Sequence, residues 1–134
     1  MHPLYVKANT WSGKMIGAAI EVHREKGPGL LESIYEKCLM RELALQKIPA
    51  VQQLAVAIDY KGYIFEENLR FDILVENCLL VEIKAVETVL SIHKAQALSC
   101  MRLLDAPLGL IINFHSLTLK EGLTRLILPG ADRP

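Results

Sequence analysis

The sequence predicts an α+β fold, with helices packed on a mixed sheet. Two stretches with helical apolar spacing open the chain. A run of short, partly alternating segments separated by turn residues follows them. A third helical stretch then leads into a nearly continuous apolar segment and a last short strand. At 134 residues, 51% hydrophobic and 22% charged, the chain suits one domain around a single buried core.

The residues up to about Ala8 read as a short tail. Asn9 or Thr10 can cap a first helix running from about Trp11 to Lys26. Ile16, Ala19, Ile20, Val22 and His23 give it an apolar stripe. Gly27-Pro28-Gly29 breaks that helix. A second helix follows from about Leu30 to Gln46, with Leu31, Ile34, Tyr35, Cys38, Leu39 and Leu43 toward one side. Lys47-Ile48-Pro49 ends it, because the residue before proline avoids the helical region.

Gln53 to Tyr60 alternates partially and reads as a strand. Lys61-Gly62 makes a tight turn into Tyr63-Ile64-Phe65. Glu66-Glu67-Asn68 interrupts the pattern, and Arg70 to Val75 resumes it, as a new strand or as the same one continued. Glu76-Asn77-Cys78 connects to a strand over Leu79 to Val86, completing an antiparallel meander. Ser91 can cap a third helix reaching about Leu104, closed by Asp105-Ala106-Pro107. Leu108 to Phe114 reads as a strand buried on both faces, and Leu123 to Leu128 as a final short one.

Charge and cysteine usage exclude several classes. Fifteen basic residues balance fifteen acidic ones, so a broad surface for gripping nucleic acid is not expected. Any such binding is local or shared across an oligomer, and a neutral, apolar-rich chain suits a homodimer. Cys38, Cys78 and Cys100 are odd in number without CxxC spacing, which argues against a zinc ribbon or a disulfide framework. Reduced thiols in a cytoplasmic protein account for them. No apolar run is long enough to cross a membrane, and the N-terminus lacks the apolar stretch of a secretion signal.

The chemistry centres on Leu79-Leu80-Val81-Glu82-Ile83-Lys84-Ala85-Val86. Strand alternation points Glu82 and Lys84 one way and Val81 and Ile83 the other. Buried strands carry an acid and a base mainly when these are paired or bind something. Asp72 interrupts the preceding apolar run. A two-residue turn at Glu76-Asn77 sets Asp72 opposite Val81, on the wrong face. A three-residue connection sets it opposite Glu82. In the second register two carboxylates lie side by side and call for a cation, with Mg²⁺ suited to their oxygens. The plainer alternative is a solvated Glu82–Lys84 pair on an exposed face. Glu32 in the first turn of the second helix either complements the helix dipole or reaches over the sheet as a third acid. Tyr35, one turn on, is more often core than functional.

The run Gly27-Pro28-Gly29-Leu30-Leu31-Glu32-Ser33-Ile34-Tyr35 resembles the GxxExxY family. So do Arg70 to Glu76, Val81 to Val86 and Gly109 to Phe114, in the same order, over about Trp11 to Leu128. That family is similar to a compact branch of the PD-(D/E)XK nuclease-like superfamily. The resemblance implies a restriction-endonuclease-like αβββαβ core with an extra N-terminal helix. It implies a Mg²⁺- or Mn²⁺-dependent phosphodiesterase acting on DNA or RNA, or a non-catalytic binding or assembly module on the same fold. It casts Asp72 and Glu82 as metal ligands, with Glu32 completing the acidic cluster and the Ile83 carbonyl as a further oxygen. Lys84 becomes the catalytic lysine, and Gln96 resembles the glutamine of a Q-x-x-x-Y element. The tyrosine position of that element holds Cys100 here. His23 also matches a position where the family commonly has histidine, although a packing role is the simpler account. His93 can face the site one turn before Gln96.

Overall fold

The computed structural model describes residues 1–134. Two helices, α1 (Tyr5–Lys26) and α2 (Glu32–Leu45), lead into strands β1 (Val51–Tyr60), β2 (Tyr63–Val75) and β3 (Leu79–Lys84). Helix α3 (Ser91–Leu104) crosses to β4 (Leu108–Asn113), and a single 3₁₀ turn (Lys120–Gly122) precedes β5 (Leu123–Ile127). The strands form one sheet in the order β1-β2-β3-β4-β5. Only β3 and β4 pair in parallel, joined by α3. This is the expected α+β arrangement with a mixed sheet. No helix is long and apolar enough to cross a membrane.

Strand alternation splits the sheet into two faces. Ile73, Val75, Val81, Ile83, Leu110 and Ile112 are buried in the main core with residues of α1 and α2. The alternate residues Leu74, Leu80 and Ile111 are buried outside that cluster, as are Ala97 and Met101 of α3. Gly109 lets α3 come close: a Cβ there would stand 2.6 Å from the Met101 sulfur. Asp72, Glu82 and Lys84 therefore belong to the face that α3 covers.

Two boundaries differ from the sequence reading for tertiary reasons. Helix α1 begins at Tyr5, so Asn9 and Thr10 lie inside it rather than at its cap. Arg125 on β5 donates to Tyr5 Oη, Asn9 Oδ1 and Ser12 Oγ, which sit at i, i+4 and i+7 on one face of α1. That distant arginine holds the first turns helical. Ser91 is likewise the first helical residue of α3, not its cap, and the His93 ring accepts the Leu90 N–H at 3.0 Å in its place.

Strand β2 is one continuous strand. Its hairpin with β1 turns on Lys61 and Gly62, both with positive φ, and Asp59 Oδ1 accepts the Gly62 N–H at 2.8 Å. The far half of this hairpin extends past the packed layers. Tyr60, Tyr63 and Ile64 are all about two-thirds exposed.

Candidate functional site

The backbone breaks its own pairing at Asp72. Along β1–β2, Gln53 pairs with Arg70 but Val51 pairs with Leu74. One residue of β1, Gln52, thus faces three of β2: Phe71, Asp72 and Ile73. This is a bulge with Asp72 at its centre, and bulges re-aim side chains. The Gln52 amide donates to the Asp72 carbonyl at 3.0 Å, supplying a partner at the irregular position.

On its other side β2 pairs with β3 through Val75↔Leu79, Leu74↔Leu80 and Ile73↔Val81. The connection therefore spans Glu76, Asn77 and Cys78, and the same register carried one step on sets Asp72 level with Glu82. The ladder stops there. Asp72 Oδ2 instead accepts the Ile83 N–H at 2.7 Å, so a side chain finishes the strand pairing. Of the two hairpin registers open to the sequence, the structure adopts the one that joins the acids.

That stop frees another oxygen. The Lys84 carbonyl accepts the Phe114 N–H at 2.9 Å and so points toward β4. Successive strand carbonyls point to opposite edges, so the Ile83 carbonyl points toward β2, where pairing has ended. It stands on the same edge as the Asp72 carboxylate.

Helix α2 supplies two further acids. The Glu32 carboxylate lies 3.9 Å from Lys84 Nζ. Its place is set by Tyr35, fully buried and stacked on Phe114 with ring centroids 4.6 Å apart. The Tyr35 hydroxyl donates to the Gly27 carbonyl and accepts the Leu30 N–H at 3.1 Å. The tyrosine thus braces the glycine turn that launches Glu32, and its role is architectural. Sequence reasoning missed Glu36, which lies against Asp72 and Glu32. The available signal was its spacing, one turn after Glu32 on the same helix face.

Electrostatics follow from this crowding. The Glu82 carboxyl is pushed up to about 8, first by burial and then by the neighbouring Asp72 carboxylate, with Lys84 opposing. Glu36 is also raised, chiefly by burial and then by Asp72 and Glu32. Acids pushed toward protonation in this way are short of positive charge.

Glu82 and Lys84 open into a cleft of about 460 Å³ between the sheet and α3. Gln96, His93 and Cys100 line the same cleft. Burial, then Glu82, holds the Cys100 thiol near 11, so it stays protonated at neutral pH. His23 lies elsewhere: it is buried, bonded to the Ser116 carbonyl at 2.9 Å and stacked near Phe114, a packing role. His93 lines the cleft while one ring nitrogen is committed to the α3 N-terminus.

No three His, Cys, Asp or Glu side chains are drawn into a ready metal cage. The donor chemistry nonetheless fits a hard cation. Asp72 and Glu82 adjoin, the Ile83 carbonyl stands beside them, and every donor is oxygen. Glu32 and Glu36 stand at the rim, Glu32 turned to Lys84.

A family model described as the PD-(D/E)XK nuclease superfamily matches residues 9–126. No curated protein and no solved structure matches the chain. The family match takes in most of α1, all of α2, β1 to β4, most of β5 and the whole acid–acid–lysine set. The chain therefore belongs to the PD-(D/E)XK nuclease superfamily.

Proposed function

We propose that this protein is a divalent-metal-dependent phosphodiesterase acting on nucleic acid, of the GxxExxY branch of its superfamily. The observation that carries the reading is the placement of Asp72 beside Glu82 on one face, with Lys84 two residues on and a cleft in front. The run from Gly29 through Glu32 to Tyr35 supports the branch assignment.

Asp72, Glu82 and the Ile83 carbonyl would hold Mg²⁺ or Mn²⁺, with Glu36 or Glu32 completing the shell. When bound, such a cation lowers the pKa of water and offsets charge on phosphoryl oxygens. The protein's own groups do the rest. Asp72 is fixed by its bond to the Ile83 N–H, which holds its carboxylate beside Glu82. Glu82 must release its proton before it can ligate. Glu32 stands 3.9 Å from the Lys84 ammonium, which can orient the attacking water and offset charge developing on the phosphate. Gln96 offers an amide to the substrate from α3.

The test is incubation of purified protein with labelled DNA and RNA and Mg²⁺ or Mn²⁺. Metal-dependent cleavage that disappears in Lys84→Ala is the expected result. Cleavage indifferent to Lys84, or none with either metal on either substrate, would count against the reading. The substitution of cysteine at position 100 favours a second reading, a binding module that does not cut. That reading predicts nucleic-acid binding without turnover and no rise in melting temperature with metal.

A further inference from the structure

The cleft beside Glu82 is divided in character. Its strand side carries the cations Arg70 and Lys84; its α3 side carries the apolar Ile92 and Leu103. Ile92 and Leu103 are 56% and 44% exposed, although they belong to a helix packed on the sheet. Apolar side chains left open beside a charged centre have a use there if part of a ligand packs on them. Arg70 is exposed and takes part in none of the protein's ion pairs. It lies two residues before Asp72, immediately beyond the bulge, on the cleft side of the sheet. A guanidinium without an acidic partner is suited to bidentate binding of a phosphate.

The cleft volume of about 460 Å³ falls within the range of small-ligand sites. A planar apolar group at one side and an anion at the other describe one nucleotide. A paired, stacked base cannot enter such a cleft without leaving its duplex. The net charge of zero points the same way, since the chain has no surplus of basic residues with which to track a duplex backbone.

We propose that this cleft binds one unpaired nucleotide of a single-stranded nucleic acid, with Arg70 on the phosphate adjoining the scissile one and Ile92 against the base. The inference rests on the phosphodiesterase reading for the place of the scissile phosphate, but its binding test does not require turnover. A fluorescent 12-nucleotide single strand, as DNA and as RNA, is titrated with the protein in Ca²⁺, beside a blunt hairpin duplex of the same sequence. The single strand is expected to bind at least about tenfold more tightly than the duplex. Arg70→Ala and Ile92→Ser are each expected to weaken single-strand binding about tenfold, the size of one lost stacking or phosphate contact. Lys61→Ala, at the exposed hairpin tip outside the cleft, leaves binding unchanged. Thermal unfolding of each variant confirms that the fold survives. Equal binding of duplex and single strand, no binding of either, or cleft variants that bind as the parent does would overturn the inference. Duplex cleavage alongside any of these leaves the phosphodiesterase reading standing. Single-strand binding that responds to the cleft variants without any cleavage does the reverse.

Discussion

Replacing Glu82 by glutamine separates the electrostatic cost of the acid cluster from its use. In the folded chain this carboxyl is pushed up to about 8 from an ordinary value of 4.5, by burial and then by Asp72. The folded state therefore keeps a proton that the unfolded chain gives up. The stability this contributes is fully present below about 4.5 and is lost as pH rises through about 8. The steepest possible loss is about 1.4 kcal/mol for each pH unit. From pH 5 to 8 the ceiling is thus about 4 kcal/mol, on the order of 10 °C in melting temperature for a chain of this size. The glutamine side chain fills nearly the same space and never ionises. In EDTA the Glu82→Gln protein is expected to melt above the parent at pH 8 and to have a much flatter profile. Glu36 is raised in the same direction and accounts for the slope that remains. Excess Mg²⁺ or Mn²⁺ closes most of the gap near pH 8, since a hundredfold excess over Kd stabilises the parent by about 2.7 kcal/mol and a variant short of one proposed ligand gains less. The assay is thermal unfolding by circular dichroism from pH 5 to 8.5, with EDTA and then with metal. Parallel profiles in EDTA would refute the desolvated, acid-crowded Glu82. An undiminished metal shift in the variant would refute its role as a ligand.

Other expectations are independent of that experiment. Lys84→Ala should lower kcat at least about 100-fold with little change in KM, because the charge it offsets develops in the transition state. Steady-state kinetics on a labelled oligonucleotide checks this, and an equal rise in KM would assign Lys84 to ground-state binding instead. Tyr35→Phe should cost about 1–3 kcal/mol in urea unfolding, since it strands the Gly27 carbonyl and the Leu30 N–H around a buried ring. A neutral result would show that the hydroxyl does not brace the glycine turn. Gly122→Ala should destabilise severely, because a Cβ would stand 2.1 Å from the Asn113 backbone oxygen. Gly13→Ala, exposed in α1 with nothing within 4 Å of its Cβ, should instead stabilise by about 0.5–1 kcal/mol. Urea unfolding of the two glycine variants checks both signs.

Much of the fold was legible in the chain because it rests on local rules. Gly27-Pro28-Gly29 and Lys47-Ile48-Pro49 punctuate the helices by backbone sterics, and Lys61-Gly62 turns the hairpin by positive φ. Helix boundaries were less legible where a distant residue sets them. Nothing within residues 5–12 announces Arg125, yet its three bonds carry α1 back to Tyr5. The Ser91 cap failed for a similar reason, because the His93 ring took the position a serine hydroxyl serves elsewhere.

The candidate site divides along the same line. The sequence alone determined which residues could carry chemistry: Asp72, Glu82 and Lys84 on strands, Glu32 on a helix, and Gln96 after them. Alternation with a period of two also fixed that Glu82 and Lys84 share a face. Whether Asp72 joins them turned on one residue of register, which flips a strand's side chains from one face to the other. Only the tertiary structure decided it, through a three-residue hairpin connection and a bulge whose pairing partners come from β1 and β3. Spacing set Glu36 one turn after Glu32, but its approach to Asp72 depends on how α2 packs against the sheet. The chain specified the acids, and long-range pairing across three strands and a helix brought them to one point.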